Sequence, residues 1–325
     1  MSGKVLITGA NGHLGANLTR ALLRRGKAIR VLVHEPTEAL DGLEVETVHG
    51  DIRDADIVDQ AILGCEYVFH LAAKITILPK YRQDVHDINV GGTENITSAC
   101  LKHGVKRLLH CSSVHALQQP TDGELTETQP FASMDTPPYD RSKSQGEQLV
   151  HSAVEQGLDA VIVNPCAIIG PYDYAPSRMG RVLLDMALER MPAVIDGAYT
   201  FVDVRDVADG CLRAFDNGTT GERYLLGGHH LTIRELAERV STVTGAKAPR
   251  FSCPWWVARA IAPISDLYGV VTNTEPLFTT VSLDIIRQVP TGYAKAAKEL
   301  GYMPRPFDNT LTDTFEWFQL HGMMS

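Results

Sequence analysis

The chain has 325 residues, 44% of them hydrophobic and 21% charged, which allows one large domain or two modest ones and excludes a disordered chain. Its formal net charge of −9 argues against nucleic acid or an anionic membrane surface as the main partner. Cys65, Cys100, Cys111, Cys166, Cys211 and Cys253 stand singly, with no Cys-x-x-Cys, which favours reduced thiols in a cytoplasmic protein over disulfides or a metal site.

Residues 4–8 read as a short apolar strand, so no signal peptide is expected ahead of them. The strand feeds Gly9-Ala10-Asn11-Gly12-His13-Leu14-Gly15. A helix follows, with Leu14, Leu18, Ala21 and Leu22 on one face and Gly26 as its stop. Strand, glycine turn and helix in that order fit a dinucleotide cradle. Gly9 would allow the tight turn, Gly12 a close approach to a pyrophosphate, and Gly15 close packing of helix on strand. The helix start would offer unpaired N–H groups and a partial positive charge to the phosphates.

Further strands are expected at 28–33, 45–49, 67–71, 107–111 and 160–164. Helices are expected at about 54–63, 83–103 (closed by Gly104) and from about 139 onward. This alternation predicts an α/β fold with a doubly wound parallel sheet and right-handed crossovers. After Asn164-Pro165 the rhythm loosens, with a helix near 179–190 and strands at 201–204 and 224–226. Thr232-Ile233-Arg234-Glu235 then forms a capping box. Residues 254–271 are apolar but interrupted by Arg259, Pro263 and Asp266, too broken to span a bilayer. An interfacial helix stays open there; a helix capping a substrate pocket is favoured, and no membrane partner is expected.

Tyr139-Asp140-Arg141-Ser142-Lys143 sets a phenol and an ammonium on one helix face. A phenol with a pKa of about 10 becomes a better acid–base catalyst beside a cation. Ser112-Ser113 end the strand at 107–111, at the carboxyl edge where doubly wound sheets bind ligands, and a hydroxyl there can hydrogen-bond a substrate oxygen. Taken singly, a solvated helix face explains the Tyr/Lys pair and a turn or cap explains the serines.

In combination these residues resemble the extended short-chain dehydrogenase/reductase family, in the NAD-dependent epimerase/dehydratase superfamily. The nearest branch is that of dihydroflavonol reductase and 3β-hydroxysteroid dehydrogenase. The resemblance rests on residues 8–15, Asp51-Ile52, His70-Leu71-Ala72-Ala73, Asn89-Val90-Gly91-Gly92-Thr93-Glu94-Asn95, Ser112-Ser113, Tyr139/Lys143, Asn164-Pro165 and Gly170-Pro171. It continues through residues 201–208 and 221–228, and so covers nearly the whole chain.

The resemblance implies a Rossmann-type NAD(P)-binding domain over 1–166 with about 199–228, and a smaller substrate-binding domain over 167–198 and 229–325. Tyr139 would be the general acid/base. Lys143 would hold the nicotinamide ribose and lower the tyrosine pKa, and Ser113 would polarise the carbonyl. The cofactor would also contact Gly9, Asn11, Gly12, His13, Leu14, Gly15, His34, Leu71, Ala72, Ala73, Ser112 and Pro165. Asp51 and Ile52 would bracket the adenine, and Asn89 would support the site from the long helix. A homodimer through the long helix and the Tyr139 helix is implied as well.

His34, followed by Glu35, occupies the end of the second strand, where a carboxylate would bind a ribose 2′-OH and an arginine a 2′-phosphate. The resembled branch tends to carry Arg there and to use NADPH. Glu35 would repel a phosphate if it pointed inward. The reading leans to NADP(H) over NAD(H).

Three reactions compete: interconversion of a carbonyl and an alcohol, epimerisation of a nucleotide sugar, and dehydration. Dehydratase relatives place Asp-Glu where Val114-His115 stand. Sugar-nucleotide relatives place an arginine where Tyr199 stands, and a phenol lacks the bidentate phosphate contact of a guanidinium. Arg178, Arg181 and Arg190 could compensate, or form a solvated face. Tyr172, Tyr174, Trp255, Trp256 and Tyr268 suit either an aromatic substrate pocket or ordinary core packing. The favoured reading is a carbonyl/alcohol oxidoreductase for a small-to-medium hydrophobic substrate touched by His115, Tyr172, Tyr174 and Tyr199. A protein that binds NAD(P) without turnover is the non-enzymatic alternative.

Overall fold

The computed structural model describes residues 3–35, 38–80, 82–272, 276 and 278–324. Strands β1 (Val5–Thr8), β2 (Ile29–Val33), β3 (Glu46–His49), β4 (Tyr67–His70), β5 (Arg107–Cys111), β6 (Ala160–Pro165) and β10 (Arg223–Leu226) form one sheet. All are parallel, in the order β10-β6-β5-β4-β1-β2-β3. The winding direction reverses between β1 and β4, which opens a crevice at their carboxyl ends.

Helices cover both faces, so the central strands are apolar without alternation; every residue of β1 and β6 is buried. Val5 and Ile7 enter the core under α1 (His13–Arg24) and α7 (Val204–Asn217). Leu6 points the other way, into a core with residues of α2 (Ala55–Ile62), α4 (Gly92–His103) and α5 (Pro138–Glu155).

The expected helix at 83–103 is present with one irregularity. Between α3 (Gln83–His86) and α4 the backbone widens into a π-helical stretch, Asp87–Gly91. α5 crosses closely here: a Cβ on Gly146 would lie 2.8 Å from the carbonyl oxygen of Asn89. Gly104 ends α4 in the left-handed conformation, φ 64°.

Beyond β6 come two smaller sheets that the sequence pattern only partly signals. β7 (Ala167–Ile169), β9 (Ala198–Asp203) and β11 (His229–Thr232) form one, and β8 (Ala193–Ile195) with β12 (Phe251–Cys253) the other. They pack with α6 (Arg178–Ala187), α8 (Ile233–Thr244), α9 (Trp255–Thr272), α10 (Thr280–Ile285), α11 (Ala294–Leu300) and α12 (Phe307–Leu320). Leu183, Phe201, Leu236, Leu311 and Phe318 centre the core between α6, α8, α12 and the three-stranded sheet. The capping box forms as the sequence predicts: Glu235 N donates to Thr232 Oγ at 3.0 Å, and Thr232 N to Glu235 Oε2 at 2.8 Å.

Candidate active site

The glycine turn is a cradle that side chains would fill. Gly9 has φ +71°, and a Cβ on it would lie 2.7 Å from the backbone nitrogen of Ala72; a Cβ on Gly15 would collide with the Gly9 carbonyl. Gly12 N donates to Gly9 O at 3.1 Å. α1 starts with no side-chain cap and no acidic residue in its first turn, so its N-terminal N–H groups are suited to an anion. These features fit the pyrophosphate of a dinucleotide.

Neighbouring side chains brace the cradle. Asn11 Nδ2 donates to Glu35 O at 3.0 Å. His13 Nε2 lies 3.1 Å from both Gly170 O and Pro171 O, so that nitrogen faces the turn after β7. Thr8 Oγ sits 2.7 Å from His70 Nδ1 and accepts from Ala72 N at 3.3 Å, while His70 Nε2 lies 3.1 Å from Thr93 Oγ. Burial, followed by repulsion from Lys143, pushes the His70 pKa down to about 3, so its ring is neutral. Leu71 N donates to Thr8 O at 3.2 Å, and Ala73 beyond it is exposed. Asn89 ties the π-helical stretch to Lys74 N, Lys74 O and Ser142 Oγ at 2.7–2.9 Å.

At the far edge of the crevice Asp51 accepts from Arg53 Nη2 at 2.6 Å and lies 3.7 Å from His34 Nδ1. The Arg53 guanidinium holds its carboxyl below the usual range. His34 is exposed at the end of β2. Ile52 is buried, its Cδ1 pressed onto Gly92, and its carbonyl accepts from Asn95 Nδ2 at 2.9 Å.

The other cluster gathers on α5 and the end of β5. Pro138 starts α5, which suits its missing N–H, and one turn carries both Tyr139 and Lys143. Lys143 is buried and donates from Nζ to Cys111 O at 2.9 Å; burial lowers its pKa. Burial pushes the Tyr139 phenol pKa up, and a hydrogen bond with Ser113 works the other way. The Lys143 ammonium is turned to the Cys111 carbonyl, and at the phenol desolvation outweighs the Ser113 contact.

Ser113 caps the short turn Val114–Ala116, its Oγ accepting from His115 N at 3.2 Å. Ser112 is buried behind it, its N–H on Val163 O at 2.8 Å; Pro165 is buried at the end of β6. His115 stands beside the phenol, its ring centroid 5.9 Å from that of Tyr139. Its Nε2 is 2.9 Å from Tyr199 Oη, and its Nδ1 is 3.5 Å from Asp140 Oδ1.

Tyr139, Lys143, Ser113, His115 and Tyr199 are thus brought together. Tyr172 and Tyr174 are engaged elsewhere. Arg20 of α1 lies 4.7 Å over the Tyr172 ring and donates to Tyr174 Oη at 2.9 Å, and both rings pack on Trp317.

Sequence reasoning missed the polar core behind the cluster. Glu147, one turn after Lys143, is wholly buried and meets Arg223 Nε at 2.9 Å. Burial raises its pKa, but His151, Arg223 and Asn164 more than offset that and leave it lowered. Asn164 Nδ2 donates to Glu147 Oε2 at 2.8 Å and to Ser113 O at 3.0 Å. The four-residue step from Lys143 to Glu147 was the signal available; Arg223 offered none.

A model of the NAD dependent epimerase/dehydratase family matches residues 5–227. Sterol demethylase protein B of Methylococcus capsulatus is 37% identical, over 98% of this chain and 99% of its own length. The putative dihydroflavonol 4-reductase of Synechocystis sp. is 33% identical, over 97% of this chain and 94% of its own. Among solved structures, that of gox2253 superposes with a TM-score of 0.88 at 34% identity and covers 100% of both chains.

Proposed function

The chain belongs to the NAD-dependent epimerase/dehydratase family, and from that premise we propose an oxidoreductase that interconverts a carbonyl and an alcohol on a small-to-medium hydrophobic or aromatic substrate. One observation carries the choice. The wall beside Tyr139 is a buried His115–Tyr199 pair, 2.9 Å apart, and by the resemblance drawn from the sequence Tyr199 takes the place where nucleotide-sugar relatives carry a phosphate-binding arginine. The relatives named sterol demethylase protein B and dihydroflavonol 4-reductase support a ring-bearing substrate.

In this reading Tyr139 gives a proton to the carbonyl oxygen during reduction and takes it back during oxidation. A phenol is protonated at neutral pH, ready as the acid. Ser113 hydrogen-bonds the same oxygen, and Lys143 holds the nicotinamide ribose. A nicotinamide bound there would supply or accept the hydride. The cradle at Gly9, Gly12 and Gly15 takes the pyrophosphate, and His34, with Arg53 close by, favours NADP(H) at the adenine ribose.

Tyr139→Phe tests the reading. With NADPH and a panel of steroid, aryl and alkyl ketones, the variant should lose at least about a thousandfold in turnover while binding NADPH normally. Retained turnover removes Tyr139 from the chemistry. Turnover of a nucleotide sugar, with none of any ketone, replaces the substrate assignment.

A further inference from the structure

α9 is built the wrong way round for an ordinary surface helix. The side turned to the protein carries Ala258, Ala262, Asp266 and Gly269, all buried. The outward side carries Trp256, Ile261, Ile264, Leu267, Tyr268 and Val271, which are 48–75% exposed. At 100° per residue these six fall within about 140° of arc, a continuous apolar stripe with no charge in it. Among the described residues, seven of the twelve exposed large hydrophobic side chains lie between Phe251 and Val271, so the patch is concentrated rather than scattered.

Polar bonds pin this orientation. Asp266 accepts from Thr280 N at 3.1 Å and Thr280 Oγ at 2.7 Å. Ser265 Oγ donates to Phe278 O at 2.7 Å, and Trp255 Nε1 to Leu283 O at 3.0 Å. Rolling the helix to hide its apolar stripe would break all four.

The charges around the stripe indicate what covers it. At its amino end Arg234 and Arg287 line a cleft of about 830 Å³ together with Trp255 and Trp256, and Arg287 lies 4.7 Å over the Trp255 ring. Neither arginine has an ion-pair partner among the described residues, and nor do Lys247 and Arg250 just ahead of β12. The carboxylate in the cleft, Asp196, is engaged by the Ser252 hydroxyl, and Arg259 is 3.8 Å from Asp284. In a chain of net charge −9, such a group of unpaired cations stands out. Apolar stripe, Trp and Tyr among it, and cations at its end are the parts of a helix that lies in a bilayer interface.

We propose that α9 docks the protein on the surface of an anionic lipid bilayer. The stripe enters the acyl boundary, and Arg234 and Arg287 meet lipid phosphates. It runs against the expectation of no membrane partner drawn from charge and sequence. Spanning is not involved, since no helix among the described residues is long and apolar enough to cross. The inference does not rest on the proposed reaction, because binding is read without substrate.

The test is flotation of the intact protein with phosphatidylcholine vesicles, with and without phosphatidylglycerol. Wild type should float with the anionic vesicles, and less so with phosphatidylcholine alone or at high salt. I264D/L267D, at two exposed positions, should weaken binding at least about tenfold with an unchanged melting temperature. R234E/R287E should abolish the gain from phosphatidylglycerol. Wild type that stays in the soluble fraction, or an I264D/L267D variant that floats as well as wild type, overturns the proposal. So does an oligomer that sedimentation shows I264D/L267D to dissolve, which would mean that a second copy covers the stripe.

Discussion

Glu147 and Arg223 meet at 2.9 Å inside the protein, the carboxylate wholly buried and the guanidinium 13% exposed. The contact joins α5 to β10, and through Asn164 it reaches the Ser113 carbonyl, so the helix that carries Tyr139 and the serine turn share one brace. Removing one partner of such a pair strands the other. Arg223→Ala should cost about 3–5 kcal/mol in urea unfolding, because the Glu147 charge is left in the core. Glu147→Gln keeps the size and a hydrogen-bonding amide and should cost less. An Arg223→Ala protein as stable as wild type would mean that the carboxylate is satisfied without the arginine.

The glycines of the opening turn should separate in effect. A Cβ on Gly15 runs into backbone at Gly9 and Ala10, which cannot yield without moving strand and helix apart. Gly15→Ala should therefore lose several kcal/mol of stability as well as dinucleotide binding, by about 2–4 kcal/mol in unfolding. A Cβ on Gly12 would rest 3.4 Å from Gly9 O, an ordinary contact. Gly12→Ala should fold within about 1 kcal/mol of wild type yet bind dinucleotide at least about tenfold more weakly, since its methyl stands on the phosphate approach. Thermal melts and calorimetric titration with NADPH and NADH measure both. Equal losses in the two variants would contradict this division.

What was legible in the sequence was local. The glycine turn, the Tyr139/Lys143 spacing and the serines at the end of β5 lie within one strand–turn or one helical turn, where spacing fixes geometry. What was not legible depends on distant partners. His115 and Tyr199 are 84 residues apart in the chain and bond directly. β7, β8, β11 and β12 have only three or four residues each, too few for a periodic pattern. The π-helical widening at Asp87–Gly91 leaves the apolar spacing of 83–103 intact and so shows no mark. Aromatic composition suggests Tyr172 and Tyr174 for the substrate pocket, but it does not show their packing on Arg20 and Trp317, with Tyr172 at φ 65°. The outward apolar face of α9 was visible as composition, but which side it presented was not.

Two buried histidines should make the fold acid-sensitive. His70 is pushed down to about 3, and His110, with neither ring nitrogen hydrogen-bonded, is also held well below its ordinary value by burial. An unfolded histidine protonates at about 6.5, so below that pH the unfolded chain binds protons that the native state refuses. Their stabilisation is complete above about 6.5 and is lost progressively as pH falls toward the native value, at about 1.4 kcal/mol per pH unit for each histidine. Urea midpoints between pH 7 and pH 5 should show this slope. His110→Leu, which removes a buried ring with no polar partner, should flatten it by one histidine without a large loss at pH 7.5. An unchanged slope in that variant would mean that His110 is not kept neutral by the fold.

Cofactor choice should turn on His34. It stands at the end of β2, 3.7 Å from Asp51, whose carboxylate is already taken by Arg53 at 2.6 Å. A 2′-phosphate placed there would meet an imidazole and a nearby guanidinium, and the Asp51 carboxylate beside them is neutralised by that guanidinium. His34→Asp puts a second carboxylate beside Asp51, more negative charge than the single Arg53 guanidinium offsets, which repels the phosphate and accepts a hydrogen bond from a 2′-OH. The ratio of kcat/KM for NADPH over NADH should fall by about ten- to a hundredfold in His34→Asp, and should rise in His34→Arg. Wild type with a strong NADH preference would reverse the assignment. It would mean that Asp51, despite Arg53, is the group that reads the ribose.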